Sequence, residues 1–413
     1  MPTSVRHLLC IVLASTLLVA GCAADEAPEE AEPPSVEPEA DDDGTEEPVG
    51  EDQGPPRAQI ATVLTRSGFA AVFGENQQRG IELAVKHLAE EGIAELEIVA
   101  AEDAGDSPTT ALNAYRRAAG QEPVAIFGPI VGTMVMAMRD DIDSNEIPFI
   151  VTASTPPITL NDNQWVYRNH PHGGMLATVM SQYALDELGI ERPAILADNT
   201  DFGQGTAQIE VAEAEERGID IVANESVAPD AIDLTGQVSR ILSAEADGVF
   251  VELLTGSPLA EAIRALRGAG YEGHIFAAPG LPSPSTLELL SDQDVEGAYT
   301  PVLGLDRDDE RVQAYVEAFQ TEYGEEPDVF SAVMYDSVRF LGEVIAAGAS
   351  TTQEIKDGLD TMTYEGLTTV MQADAEGNLS HRVDVLEFDD QKTPSTVATF
   401  ELDFTARGGD DGG

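Results

Sequence analysis

The chain has 413 residues, 76 acidic side chains against 21 basic ones, and a formal net charge of −55. That length suits two or three domains, and two cysteines cannot build a disulfide scaffold. The charge argues against nucleic-acid binding, which needs a basic footprint, and against docking on anionic lipid by charge.

At the N-terminus, Arg6 and His7 precede an apolar run from Leu8 to Ala20. The run is too short to cross a bilayer comfortably and reads as a targeting segment. It ends in Leu18-Val19-Ala20-Gly21-Cys22, which resembles the lipobox of bacterial lipoproteins. The resemblance implies that residues 1–22 are a signal peptide, that Cys22 becomes the first residue and is lipidated, and that the chain is anchored in the cell membrane facing away from the cytoplasm. Cys10 would leave with the signal.

Residues 23–54 carry 14 acids, no base and almost nothing apolar. Such a tract cannot bury enough surface to fold, and its self-repulsion extends it. An acidic disordered tether is expected. Setting aside those 14 acids and the single base of the signal leaves −42 on the body from Pro55 onward. A body this acidic repels itself at low ionic strength, so a saline habitat is expected.

From Arg57, strands and helices alternate. Ala58–Leu64 reads as a buried strand. Phe73-Gly74 precedes a helix with Ile81, Val85 and Leu88 on one face. Leu96–Ala101 is the next strand. Ser107-Pro108 is a cap with proline at the first helical position, and Gly120 ends that helix. Val124–Phe127 and Ile147–Val151 are short apolar strands that empty into loops of small residues, Gly128-Pro129 and Thr152-Ala153-Ser154-Thr155-Pro156-Pro157. Gly132-Thr133 opens the helix between them. Parallel strands joined by one helix place both loops at the carboxyl ends, where α/β sheets hold ligands. The start of the helix adds unpaired N–H groups and a partial positive charge, a seat for a carboxylate or carbonyl oxygen.

Gln164–Arg168 is a short extended piece. A second series follows, with strands at Ala194–Ala197, Ile219–Ala223, Gly248–Glu252 and His274–Ala278. Its helices fall near residues 175–188, 205–217, 235–243, 258–268 and 284–290. Gly297–Leu303 reads as a crossing strand. Helices near 308–323, 329–347 and 352–359 come next, then strands Val383–Phe388 and Val397–Phe404 and a disordered tail at 406–413.

From about Arg57 to Phe388 the chain resembles the leucine/isoleucine/valine-binding family of type I periplasmic-type substrate-binding proteins. The resemblance rests on Gly68…Phe73-Gly74-Glu75, Gly128-Pro129 with Thr133, Ile147-Pro148-Phe149…Ala153-Ser154-Thr155, and Asp198…Phe202-Gly203…Gly205. It continues in Arg264…Arg267-Gly268-Ala269-Gly270, Pro279-Gly280 and Tyr335-Asp336. It implies an α/β fold class of two doubly wound lobes joined by three crossings, with residues 57–172 plus 302–384 in lobe 1 and 173–301 plus 385–405 in lobe 2. It also implies a monomer that closes on a solute and hands it to an ABC permease in the membrane.

Carried over position by position, the resemblance puts ligand-holding N–H and hydroxyl groups at Gly132 and Thr133. It puts the backbone and hydroxyl grip on the ligand's amino end at Ala153 and Thr155, with Ser154 between them. Aromatic covers fall at Phe73 and Phe202, and a further contact falls near Thr255. Amino-acid binders of the family carry an acid where Gly280 stands here, to pair the ligand's ammonium. Glu252 or Asp336 would have to replace it, so an amino acid, a small amide and a carboxylate all stay open as ligands.

Plainer readings stand beside these. Thr133 can be an N-cap, and Ser154 and Thr155 can satisfy the backbone of a turn. Phe73 and Phe202 can be core aromatics, Trp165 packing, and Glu252 and Asp336 structural or solvated. His170-Pro171-His172 reads as a surface turn rather than a metal site, and no metal or cofactor is expected. No nucleophile motif, phosphate loop or dinucleotide fingerprint stands at a strand-to-helix junction, so an enzyme is disfavoured. A sensor of the same fold, passing closure to a signalling partner, is the alternative to an importer component.

Overall fold

The computed structural model describes residues 54–159, 163–229, 231–253 and 256–402. The signal peptide, all but the last residue of the acidic tether, and the tail expected from the sequence lie outside the described residues, as does Thr255.

The first half is built as β1 (Arg57–Leu64), α1 (Ala71–Glu90), β2 (Glu95–Asp103), α2 (Pro108–Ala119), β3 (Ala125–Phe127), α3 (Gly132–Asn145), β4 (Phe149–Val151) and β5 (Val166–Arg168). The caps read from the sequence form: Ser107 Oγ accepts from Thr110 N at 3.3 Å, Pro108 opens α2 and Gly120 closes it. Phe73 does not precede the helix; it lies within the first turn of α1. The five strands pair in parallel in the order β2-β1-β3-β4-β5. That order reverses direction between β1 and β3, which opens a crevice at the carboxyl ends.

The second series runs α4 (Gly173–Gln182), β6 (Pro193–Asp198), α5 (Asp201–Glu216), β7 (Ala223–Val227), α6 (Thr235–Ser243), β8 (Gly248–Glu252), α7 (Ser257–Gly268) and β9 (His274–Ala277). Two single-turn helices, α8 (Pro284–Leu287) and α9 (Asp292–Val295), then lead into β10 (Ala298–Val302). They replace the one helix expected near 284–290. A π turn at Tyr183–Glu187 continues α4. The strand expected at Ile219–Ala223 forms instead at Ala223–Val227. Its neighbour β6 sets this register, pairing Ala194 with Ala223 and Asp198 with Val227, while Ile219 and Ile221 pack from the loop against the core.

The chain then adds α10 (Glu310–Tyr323), α11 (Val329–Ala346) and α12 (Thr352–Thr361), a small hairpin β11 (Tyr364–Glu365) and β12 (Val370–Met371), and strands β13 (Arg382–Phe388) and β14 (Pro394–Glu401). The second sheet has the order β14-β13-β10-β9-β8-β6-β7, with β13 antiparallel to both β10 and β14. Apolar side chains fill both faces of each sheet. One core joins β1 and β3 to α1, α11 and α12, and another joins them to α2 and α3. In the second sheet the two cores lie under α6 and α7 and under α4 and α5. Doubly wound α/β layers follow from this two-sided burial.

The chain passes between the sheets at residues 169–172, 303–305 and 379–381. The end of β5, just before the first of these, touches the segment that leads into the third. Arg168 N donates to Gly377 O at 2.9 Å, and Leu379 N donates to Arg168 O at 2.7 Å. Gly304 lies so close to Asp384 that an added Cβ would fall 2.0 Å from Oδ2, so only glycine fits there. Among the described residues no helix is long and apolar enough to cross a membrane.

Candidate functional site

The loops at the carboxyl ends of β3 and β4 are shaped by glycine. At Gly128 an added Cβ would lie 2.4 Å from the Phe149 ring. At Gly132 it would lie 2.0 Å from Thr155 Oγ1, so the start of α3 and the Thr155 hydroxyl are in direct contact. The N-cap of α3 is Val131, which supplies no side-chain cap. Thr133 is therefore not the cap; it is the second residue of the helix and is exposed. A helix start without a capping side chain keeps its first N–H groups available, with the positive end of the dipole behind them.

Ala153 is fully buried, and Ser154 and Thr155 are half-buried. Beneath them, Gln77 of α1 donates to Thr152 Oγ1 at 2.9 Å. Phe73 is half-buried and meets Phe330 edge-on at 5.1 Å, and Phe330 stacks on His170 at 5.9 Å. These three rings form one cluster joining α1, α11 and the first crossing.

The two sheets meet at Gly173. Its N–H donates to Ser154 O at 3.0 Å, and its position lies 3.5 Å from the Phe202 ring for an added Cβ. Phe202, at the start of α5, thus packs on Gly173, whose N–H is bonded to the first-sheet loop. Gly280 is half-buried after β9; its carbonyl accepts from Ser283 N at 3.2 Å and from Ser283 Oγ at 2.7 Å. No described contact joins Gly280 to the Thr155 loop.

His170 and His172 are not a surface turn. They form the first crossing, and His170 is buried. His170 Nδ1 lies 2.8 Å from Pro171 O, and burial pushes its pKa down to about 4. His172 accepts from Met175 N and caps α4; burial and the Arg168 charge push it down to about 3. Both rings are neutral at physiological pH. No group of acids, histidines and cysteines suited to a metal ion occurs among the described residues.

The two acids that could replace one at Gly280 are both buried, not solvated. Asp336, on α11, accepts from Leu367 N at 2.8 Å, Thr368 N at 2.9 Å and Thr368 Oγ1 at 2.7 Å. It pins the hairpin, and burial pushes its pKa up to about 6. Glu252 ends β8, pairs across the sheet with Ala197 and turns toward α5, where Glu210 and Thr206 meet it. Both carboxyls are buried, and neither oxygen of Glu210 has a hydrogen-bond partner. Desolvation and the facing charge of Glu252 therefore keep Glu210 protonated, raising its pKa well above the ordinary carboxylate range. Burial holds Glu252 itself at about 7.

The sequence reading missed Arg168. It is fully buried at the end of β5, and its Nη2 donates to Thr155 O at 2.9 Å, Pro156 O at 3.0 Å and Thr159 Oγ1 at 3.0 Å. Only its place after Val166-Tyr167 hinted that it is inside.

Residues 58–398 match the family model described as periplasmic binding protein. The chain belongs to that family. Among curated relatives, the Leu/Ile/Val-binding protein homolog 3 of Brucella melitensis biotype 1 is 27% identical over 229 residues, covering 54% of this chain and 61% of that protein. The leucine-, isoleucine-, valine-, threonine- and alanine-binding protein of Pseudomonas aeruginosa is 21% identical over 330 residues, 78% of this chain and 87% of that one. The match thus spans about six tenths of the first relative's length and nearly nine tenths of the second's. Among solved structures, the leucine-binding protein LivK of Thermotoga maritima superposes with a TM-score of 0.71 at 23% identity, covering 83% of this chain and 99% of the other. The fold is that of type I periplasmic binding proteins.

Proposed function

We propose that this chain is the solute-binding component of an ABC importer, anchored outside the cytoplasm through a lipid on Cys22. It captures a small polar solute, an amino acid or a related amide or carboxylate, as a monomer and passes it to a permease. The two sheets with their helices, the first built from residues 57–168 and 306–378 and the second from 173–302 and 382–402, act as the two closing lobes; Val302 and Arg382–Asp384 pair within the second sheet, not on the first-lobe side of the boundaries expected from the sequence. The observation that carries this reading is the convergence at Gly132 and Thr155. An uncapped helix start and a hydroxyl in contact with it lie at the carboxyl edge of one sheet, and the Ser154–Gly173–Phe202 contacts link that edge to the other sheet. Ligand oxygens meet the N–H groups at Gly132 and Thr133, Thr155 holds the polar end, and Phe73 and Phe202 cover the apolar body. In this reading the protein holds its solute rather than transforming it.

The test is a thermal-shift screen of the full chain, at low and high salt, against branched and acidic amino acids, small amides, urea and short carboxylates. A solute at about 1,000 times its dissociation constant should stabilise the fold by about 4 kcal/mol. The Thr133→Ala, Thr155→Ala double variant should then lose at least about tenfold in affinity, given about 1 kcal/mol per lost hydrogen bond. Unchanged binding by that variant would sink the site.

A further inference from the structure

Of all the lysines and arginines among the described residues, Arg168 alone is buried. In a chain with 76 acids it nevertheless forms no ion pair, whereas most of the other bases do. Its Nε and Nη1 have no acceptor. The nearest acids, Asp374 and Glu376, act on it only through space. Asp374 spends its own oxygens on Glu376 N, Asn378 N and Asn378 Nδ2, and Glu376 is exposed. A buried charge without a bonded counter-charge is costly and persists only where something offsets it.

The guanidinium stands directly behind the Thr155 loop. Its three acceptors are Thr155 O, Pro156 O and Thr159 Oγ1, and Thr159 Oγ1 donates onward to Asn378 Oδ1 at 3.2 Å, which ties the loop to the segment that leads into the third crossing. On the loop's other side the Thr155 hydroxyl packs on Gly132, at the start of α3. Guanidinium, threonine and helix start are therefore successive layers, and the two charged layers have the same sign. The crossing histidines beside Arg168 add no charge, because burial keeps them neutral.

We infer that Arg168 determines the charge of the solute's head group: it holds the Thr155 loop in register against α3 and sets behind it a positive charge to which no carboxylate is bonded, so the site takes a carboxylate in preference to the corresponding amide. This rests on the solute-binding reading above. The carboxylate can belong to a free acid or to an amino acid. Arg168 acts through Thr155 and is a positioning residue.

The experiment is isothermal titration of the full chain at high salt with three matched pairs: isovalerate and isovaleramide, benzoate and benzamide, leucine and leucinamide. At least one acid should bind about tenfold or more tightly than its amide, the scale of one partly screened charge pair. Arg168→Gln keeps a planar donor but removes the charge, and should narrow that ratio to about twofold or less. Arg168→Lys keeps charge and donors, and should restore most of it. The acid pairs against the leucine pair tell which kind of carboxylate is bound. A folded R168Q protein that weakens acid and amide equally, leaving the ratio intact, would show a merely structural arginine and overturn the inference. So would a wild-type protein that binds an amide as well as its acid. Should R168Q fail to fold, wild type and R168K still decide, because loss of the acid preference in either is incompatible with the proposal. Failure of all six compounds to bind wild type overturns the solute-binding reading itself, and this inference with it.

Discussion

Replacing Glu252 by glutamine should stabilise the protein at alkaline pH and do little in acid. Glu252 and Glu210 are buried face to face between β8 and α5, and burial lifts both above the ordinary carboxylate value of 4.5, Glu252 to about 7. The unfolded chain ionises both near their ordinary values. The folded state therefore holds more protons than the unfolded one across the interval, and stability falls as pH rises through it. Below the ordinary value the contribution is fully present; above about 7 it is lost. For Glu252 alone the difference amounts to about 3 kcal/mol at most. The introduced glutamine keeps the size and the polar contacts with Thr206 and Glu210 but has nothing to ionise. Urea denaturation of wild type and Glu252→Gln, in one salt concentration and over a series from about pH 4.5 to about pH 8.5, isolates this pair, because the acids outside it cancel in the difference. The variant's advantage should be near zero at the acid end and approach about 3 kcal/mol at the alkaline end. A difference that stays flat across the series would mean the pair is hydrated or cation-paired in solution, and would refute the reasoning.

Removal of salt should lower the melting temperature of wild type by several degrees between about 1 M and about 0.05 M sodium chloride, because the −42 body loses its screening; an unchanged melt would remove the case for a saline habitat. Gly132→Ala forces a Cβ to within 2.0 Å of Thr155 Oγ1, and should cost about 1–3 kcal/mol in stability and at least tenfold, roughly, in solute affinity by titration. Asp336→Ala removes the acceptor of three bonds to the hairpin and should destabilise by about 3 kcal/mol in urea while leaving affinity intact; a loss of amino-acid binding in folded protein would instead make Asp336 the ammonium's partner.

The alternation of strands and helices was legible because both faces of each sheet are covered. Runs such as Ala125–Phe127 and Phe149–Val151 are buried at every position and read as continuous apolar segments. The edge strand β7 was misplaced for the opposite reason: only Val227 is buried there, and its position follows from pairing with β6 rather than from its own pattern. The hairpin of Tyr364–Met371 is held by Asp336, some thirty residues earlier, and so left no local signal. Within the site, small residues after strands marked Gly132 and Thr155. Arg168 was invisible because its surroundings are assembled from residues 155–159 and 374–379. His170 and His172 looked solvent-facing by type, yet the crossing they form is packed between two sheets, where Phe330 and the start of α4 bury them.

The acidity of the surface and the electrostatics of the site act on different length scales. Charges on exposed carboxylates are screened over about 8 Å at physiological salt and about 3 Å at 1 M, so the net charge of the body scarcely reaches a solute enclosed between the sheets. Groups inside escape that screening. The first sheet presents the start of α3 and the buried Arg168, and the second keeps its buried acid pair turned toward α5, with the proton on Glu210 reducing its charge. On the proposed reading, selection of the solute therefore depends on these few interior groups. A very acidic exterior, tuned for solubility or for brine, is compatible with a site whose local field favours an anion, because the medium that makes the exterior tolerable also hides it from the ligand.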